Sequence, residues 1–142
     1  MVSLNGLHIL FADDATYNMR PTIDALETAG ASVDVVTDGT EVMAYLRKHK
    51  INLPDVLILD IMMPGGPEMR LTDGGRTTGV EVFKWMQKEK VRIPTVVSTV
   101  ISDASVLEIF RHDPKISIIR KPYRFDELER EINRVLTERD KR

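Results

Sequence analysis

Apolar residues along this chain come in short runs that stop on polar or turn residues. Four are plain: HILFA at 8–12, VDVV at 33–36, DVLIL at 55–59 and TVVSTV at 95–100, and a fifth, ISII at 116–119, is shorter but similarly β-branched. Runs this short and continuous predict strands buried on both faces, as in a parallel sheet. Between them the apolar positions change period. Met19, Ile23 and Leu26 share one helical face, as do Val42, Tyr45, Leu46 and His49, and then Val82, Phe83 and Met86. Val106, Ile109 and Phe110 form a fourth face, and Phe125, Leu128, Ile132, Val135 and Leu136 a fifth. These spacings follow the 3.6-residue repeat of a helix that buries one side. Strand and helix thus alternate five times, which predicts an α/β fold: a five-stranded parallel sheet, doubly wound and flavodoxin-like, in a three-layer sandwich.

Two local features bear on this pattern. Pro21 sits where the first helix should be running and removes one intrahelical hydrogen bond, so that helix either starts late, near Met19, or bends there. The closing TERDKR is charged and is expected to fray into solvent. With 142 residues the chain has the size of one domain with a real core, read here as 1–142 without a linker, so output must come from this domain or from a separate chain.

Composition narrows the function classes. Hydrophobic residues are 42% and charged residues 30%, the balance of a globular chain. A net charge of −2 and a pI near 5.9 offer no general basic field, so no nucleic acid is expected as a partner. No apolar run nears the roughly 20 residues that span a bilayer, and no membrane partner is expected. Cysteine is absent, which removes disulfides, thiolate metal sites and cysteine nucleophiles and is compatible with a reducing cytoplasm.

The ends of the predicted strands collect the chemistry. In an open α/β sheet, ligands bind at the carboxyl ends of the strands, near the switch point of strand order. Those ends carry Asp13 and Asp14, then Asp60, then Ser98 and Thr99, then Arg120, Lys121 and Pro122. Three carboxylates gathered at one edge repel each other, and a hard divalent cation with oxygen ligands, Mg²⁺ above all, relieves that. A lysine and a hydroxyl complete a set able to hold a phosphoryl group, and aspartate can itself be the nucleophile that forms an acyl phosphate. Ser98 competes with Thr99 as the hydroxyl; strand alternation puts the two on opposite faces. Asp55, at the start of its run, reads as a turn residue, and Asp103, after Ser102, as a helix N-cap. His8, His49 and His112 are scattered without a nucleophile beside them and read as surface or helix-face residues.

The stretches ILFADD, PDVLILDIMMP, IPTVVST and IIRKPY, in this order, resemble the motifs of the receiver domain of two-component response regulators. That resemblance implies a regulatory domain, not an enzyme, in which Asp60 accepts a phosphoryl group from a sensor histidine kinase or a histidine phosphotransfer protein. It implies Mg²⁺ held by Asp13, Asp14, Asp60 and the backbone carbonyl of Met62. Thr99, five residues after Pro94, would contact the phosphoryl group, Lys121 would pair with it, and the Lys121–Pro122 bond would be cis. The implied setting is cytoplasmic, with an unknown downstream protein and a monomer or a phosphorylation-dependent dimer. A phosphorylation-independent interaction scaffold on the same fold is the alternative, and a Mg²⁺-dependent phosphatase lacks its second acid, since Met62 stands two residues after Asp60.

Three departures stand out. The family pattern M-P-x-x-x-G is stretched, because 14 residues separate Pro64 from Gly79, about eleven of them extra. This inserted loop, about 65–78, holds four of the chain's eight glycines, yet it fails as a phosphate-binding Walker loop, since Arg70 replaces the first glycine and Arg76 the lysine. A lid over the acidic site, an enlarged partner surface or a tolerated insertion remain open for it. Ile118 stands where an aromatic three residues before the lysine is usual. Val100 stands after the threonine where a small residue is common, which implies hindered water attack on an acyl phosphate.

Overall fold

The computed structural model describes residues 4–69 and 74–140. Five strands alternate with five helices: β1 (His8–Ala12), α1 (Thr16–Thr28), β2 (Ser32–Val36), α2 (Gly39–Lys48), β3 (Val56–Asp60), α3 (Thr78–Lys88), β4 (Thr95–Thr99), α4 (Ala104–Arg111), β5 (Ile116–Arg120) and α5 (Phe125–Asp140). All neighbouring strands are parallel, in the order β2-β1-β3-β4-β5. This is the doubly wound, flavodoxin-like arrangement, and strand order reverses between β1 and β3.

Alternation along the strands splits the core in two layers. Ile9, Phe11, Ile58, Val96 and Ile119 face α1 and α5, where they meet Ile23, Leu26, Leu128, Ile132 and Val135. Leu10, Ala12, Leu57 and Leu59 face the other way, against Val42 and Leu46 of α2 and Val82 and Met86 of α3. A third cluster joins α3 to α4 through Phe83 and Phe110, whose ring centroids are 5.1 Å apart. Each fully buried aliphatic or aromatic side chain here is worth roughly 1.5–3 kcal/mol, so this inward periodicity, and not any one bond, sustains the sandwich.

Four expectations are corrected. α1 starts at Thr16 and runs through Pro21, so the late start does not occur. Only the sixth helical residue lacks its donor, and the remaining buried face, Met19, Ile23 and Leu26, holds the helix in place. β2 is an edge strand and is largely exposed, with only Val36 fully inside. On α4 the buried residues are Leu107 and Phe110, while Ile109 is 40% exposed. The charged tail is helical to Asp140, carried by the packing of Ile132, Val135 and Leu136; residues 141–142 lie outside the described residues.

Candidate acidic site at the carboxyl ends of the strands

Asp60 is the last residue of β3, and Asp13 and Asp14 directly follow β1, so the switch point places all three at one edge. One oxygen from each lies within 4.8 Å of the others. Asp13 and Asp60 are buried, whereas Asp14 is exposed. Asp13 is fixed by its Oδ1, which accepts the Ala15 N–H at 2.9 Å, and Asp60 by its Oδ1, which accepts the Met62 N–H at 3.2 Å. Lys121 reaches in from beyond β5. Its Nζ donates to Asp13 Oδ2 at 2.6 Å and to Asp60 Oδ2 at 3.3 Å. The Lys121–Pro122 peptide is cis.

The electrostatics favour an added cation. Burial pushes the Asp60 carboxyl up, Lys121 pulls it down and Asp13 pushes it up again, leaving it at about 6. Burial lowers the Lys121 ammonium, but its bonds and charge interactions with Asp13 and Asp60 outweigh that, and its pKa is raised. One ammonium facing three carboxylates leaves negative charge uncompensated, and a small hard cation bound by oxygens fits that donor set.

Thr99 and Ser98 stand differently from each other. Ser98 is the register partner of Asp60, so its side chain lies on the same sheet face as that carboxylate. Thr99 points to the α3–α4 face, is wholly buried, and its Oγ1 accepts the Ile101 N–H at 2.9 Å. The structure therefore gathers Asp13, Asp14, Asp60 and Lys121, and leaves Thr99 bonded to the β4–α4 loop. Ser98 Oγ and Tyr123 OH are buried, and neither has a hydrogen-bond partner among the described residues, although Ser98 lies near enough to favour the ionised phenol slightly. Burial above all pushes the Tyr123 phenol up to about 12. Sequence reading misses Tyr123 because it looks like an ordinary aromatic after the Lys-Pro pair.

Around the rim, Met62 and Val100 are exposed, at 36% and 61%. Gly79 lies in the first turn of α3, against the backbone of Asp60. A Cβ there would come within 2.7 Å of the Asp60 carbonyl oxygen, so this close approach admits only glycine. Ile118 is packed beside the Phe83–Phe110 cluster and supplies no aromatic ring to rotate.

Of the inserted loop, residues 65–69 and 74–78 are described, and residues 70–73 lie outside the described residues. The loop is tied to the start of α2: Gly39 N–H donates to Pro64 O at 2.9 Å, Thr40 N–H and Oγ1 donate to Gly65 O at 2.8 and 2.9 Å, and Thr40 Oγ1 accepts from Glu68 N–H at 2.9 Å. Gly66 turns the chain here with φ +81, and Arg47 of α2 reaches Glu68 at 3.0 Å while lying over the Trp85 ring. On the return, Met63 N–H donates to Gly75 O and Thr78 Oγ1 donates to Met63 O. Two further readings are settled. Asp55 accepts the His8 N–H at 2.8 Å, and Asp103 caps α4 by accepting from Ser105 N–H at 2.9 Å. The histidines are not all scattered: Tyr45 OH donates to Asp34 at 2.5 Å, His8 Nε2 lies 2.9 Å from the same oxygen, and His49 stacks on Tyr45. The Tyr45 hydrogen bond first, then His8, holds Asp34 below its ordinary value.

No curated protein matches the chain. Among solved structures, the receiver domain of Francisella response regulator 1452 is similar at 24% identity, covering 96% of this chain and 100% of that one, with a TM-score of 0.71. A response regulator receiver domain protein from Methanospirillum hungatei JF-1 is similar at 21%, covering 94% and 96%, with a TM-score of 0.73. The signal receiver domain of a signal transduction histidine kinase from Syntrophus aciditrophicus is similar at 23%, covering 96% and 95%, with a TM-score of 0.72. These likenesses establish the fold. The family model described as the response regulator receiver domain matches residues 9–133, a span that holds the five strands except His8 and every carboxylate of the acidic edge. The chain therefore belongs to the response regulator receiver domain family of two-component signalling.

Proposed function

We propose that this receiver domain, comprising 1–142 with its insertion at about 65–78, is a switch phosphorylated on Asp60. The donor is the phosphohistidine of a sensor histidine kinase or a phosphotransfer protein. One observation carries the reading: a buried carboxylate at the switch-point edge, with a lysine at 3.3 Å and two further carboxylates in reach. An Asp60 oxygen attacks phosphorus as the phosphorus–nitrogen bond breaks, and the leaving imidazole takes up a proton, so atoms and charge balance. Asp13, Asp14, Asp60 and the Met62 carbonyl would hold Mg²⁺, which neutralises charge on the transferred group. Lys121 offers a second positive contact to that group, and Thr99 leaves Ile101 for it, biasing the β4–α4 region between two pre-existing states.

The test uses acetyl phosphate or beryllofluoride with Mg²⁺, read by Trp85 fluorescence and amide NMR shifts. A saturable response in the wild-type chain, lost in Asp60→Ala, is expected. An equal response in Asp60→Ala, or none in wild type, defeats the reading and leaves a phosphorylation-independent scaffold.

A further inference from the structure

A cavity of about 370 Å³ opens at the other edge of the sheet, by the amino ends of β4 and β5. Its floor is apolar: Phe83 and Met86 of α3, Ile93 before β4, and Ile116 at the start of β5. Its rim is cationic, with Lys90, Arg92 and Lys115 against the single carboxylate of Asp113. Arg20, Arg47, Lys84 and Arg124 each have a carboxylate partner, while Lys48, Lys50, Lys88, Arg111 and Arg120 stand without one among the described residues, so it is the convergence of cations on one cleft that sets this rim apart. Among the described residues, none of the three rim cations has a carboxylate partner. Cavities of this size with an apolar body and a few convergent polar groups are those that take small ligands.

The backbone supplies a second observation. α3 ends in a turn where Val91 N–H returns to Met86 O at 2.9 Å and Lys90 N–H to Gln87 O at 3.3 Å. The residue in the left-handed position of such a turn is usually glycine. Here it is Lys90, with φ 58, and among the described residues no other non-glycine has a positive φ. A strained lysine where glycine would be free is a pointer to use of its side chain. The bland alternative is that the cations only complement the helix ends of α3 and α4, whose carbonyls carry partial negative charge.

We propose that this cleft binds one small soluble anion, a carboxylate or phosphate monoester on an aliphatic or aryl body. The body lies on Phe83, Met86, Ile93 and Ile116, and the anionic group sits between Lys90, Arg92 and Lys115. The site is remote from Asp60 and does not depend on phosphorylation.

Octyl phosphate below its micellar concentration is the probe, titrated into the full chain and followed by amide NMR shifts. Saturable shifts at Ile93, Thr95 and Ile116 are expected, with an affinity about tenfold or more above that of octylammonium or inorganic phosphate. Lys90→Gly is the decisive variant, because it relieves the strained φ and keeps the fold: it should raise the melting temperature and weaken octyl phosphate binding. Lys90→Glu with Lys115→Glu should abolish binding. Equal shifts with octylammonium, or binding unchanged in Lys90→Gly and in the charge reversal, overturn the proposal and leave the cations as helix-end partners. So does an absence of octyl phosphate binding, or adsorption only to anionic phosphatidylglycerol vesicles.

Discussion

The Lys121 ammonium stands 2.6 Å from Asp13 Oδ2, closer than its 3.3 Å contact with Asp60. Asp13 thus anchors the lysine, and the longer contact is the one a transferred group can replace. Removing the ammonium leaves the carboxylates facing one another, which should strengthen a divalent cation while weakening a bound phosphoryl mimic. Lys121→Ala is expected to bind Mg²⁺ more tightly and to need about tenfold more beryllofluoride for half the Trp85 response. If both affinities move in the same direction, the division of roles between Asp13 and Asp60 is wrong.

Asp60 should cost the free fold stability at neutral pH. Its pKa is raised to about 6 when folded, against about 3.9 for an unperturbed aspartate. The folded state therefore holds the proton over that window. The penalty is absent below the unfolded value, grows as pH rises through the interval, and is complete above the folded value. At pH 7.5 without divalent cations, Asp60→Asn should be more stable than wild type by on the order of 2 kcal/mol. Urea melts of both proteins from pH 4 to 7.5 should show the gap closing toward acid. A gap that stays constant with pH places its cause elsewhere.

Ser98 and Thr99 make an internal comparison. Thr99 Oγ1 accepts the part-buried Ile101 N–H, whereas Ser98 Oγ has no partner among the described residues. Thr99→Ala should lose about 1 kcal/mol or more, and Ser98→Ala should be neutral or stabilising. Under the proposed switch, only Thr99→Ala should also blunt the amide shifts of α4 caused by beryllofluoride. Equal effects of the two changes on stability and shifts would show that strand face does not separate them.

The attachment of the inserted loop rests on Thr40 more than on the ion pair beside it. Thr40 makes its bonds through both backbone and hydroxyl, while Arg47 and Glu68 are each about half exposed, a setting in which ion pairs are worth about 0–1 kcal/mol. Thr40→Val is expected to speed hydrogen exchange at Glu68 at least severalfold, and Arg47→Ala to leave it nearly unchanged.

What the sequence discloses follows from what its signals measure. Runs such as DVLIL mark strands because burial on both faces demands continuous apolar residues, and the strand-end rule then gathers Asp13, Asp60 and Lys121 from sites 108 positions apart at the extremes. VDVV has the same look, yet β2 is exposed, since strand order and not composition decides which strand lies at the edge. Ile109 fits the helical period of its neighbours, but α4 is short and turns only Leu107 and Phe110 fully inward. The seat of the insertion was hidden because Pro64, Gly65 and Glu68 find their partners on α2, some 25 positions back, through backbone groups that carry no residue code. Tyr123 was hidden in an aromatic position after the Lys-Pro pair, whereas Ser98 was visible as a strand-end hydroxyl.

Val100 offers the sharpest functional prediction at the rim. It follows Thr99 and is 61% exposed, so under the proposed switch its branched side chain can limit the approach of water to an acyl phosphate on Asp60. Hydrolysis needs a water in line with the phosphorus, and a group that crowds that path raises the barrier without touching the carboxylate. Val100→Ala should shorten the phosphorylated lifetime several-fold, since each tenfold corresponds to about 1.4 kcal/mol of barrier, while leaving the acetyl phosphate concentration for half-maximal initial rate unchanged. Decay of the phosphorylated chain after removal of acetyl phosphate measures this. An unchanged lifetime in Val100→Ala would show that water reaches phosphorus by a path that side chain does not border.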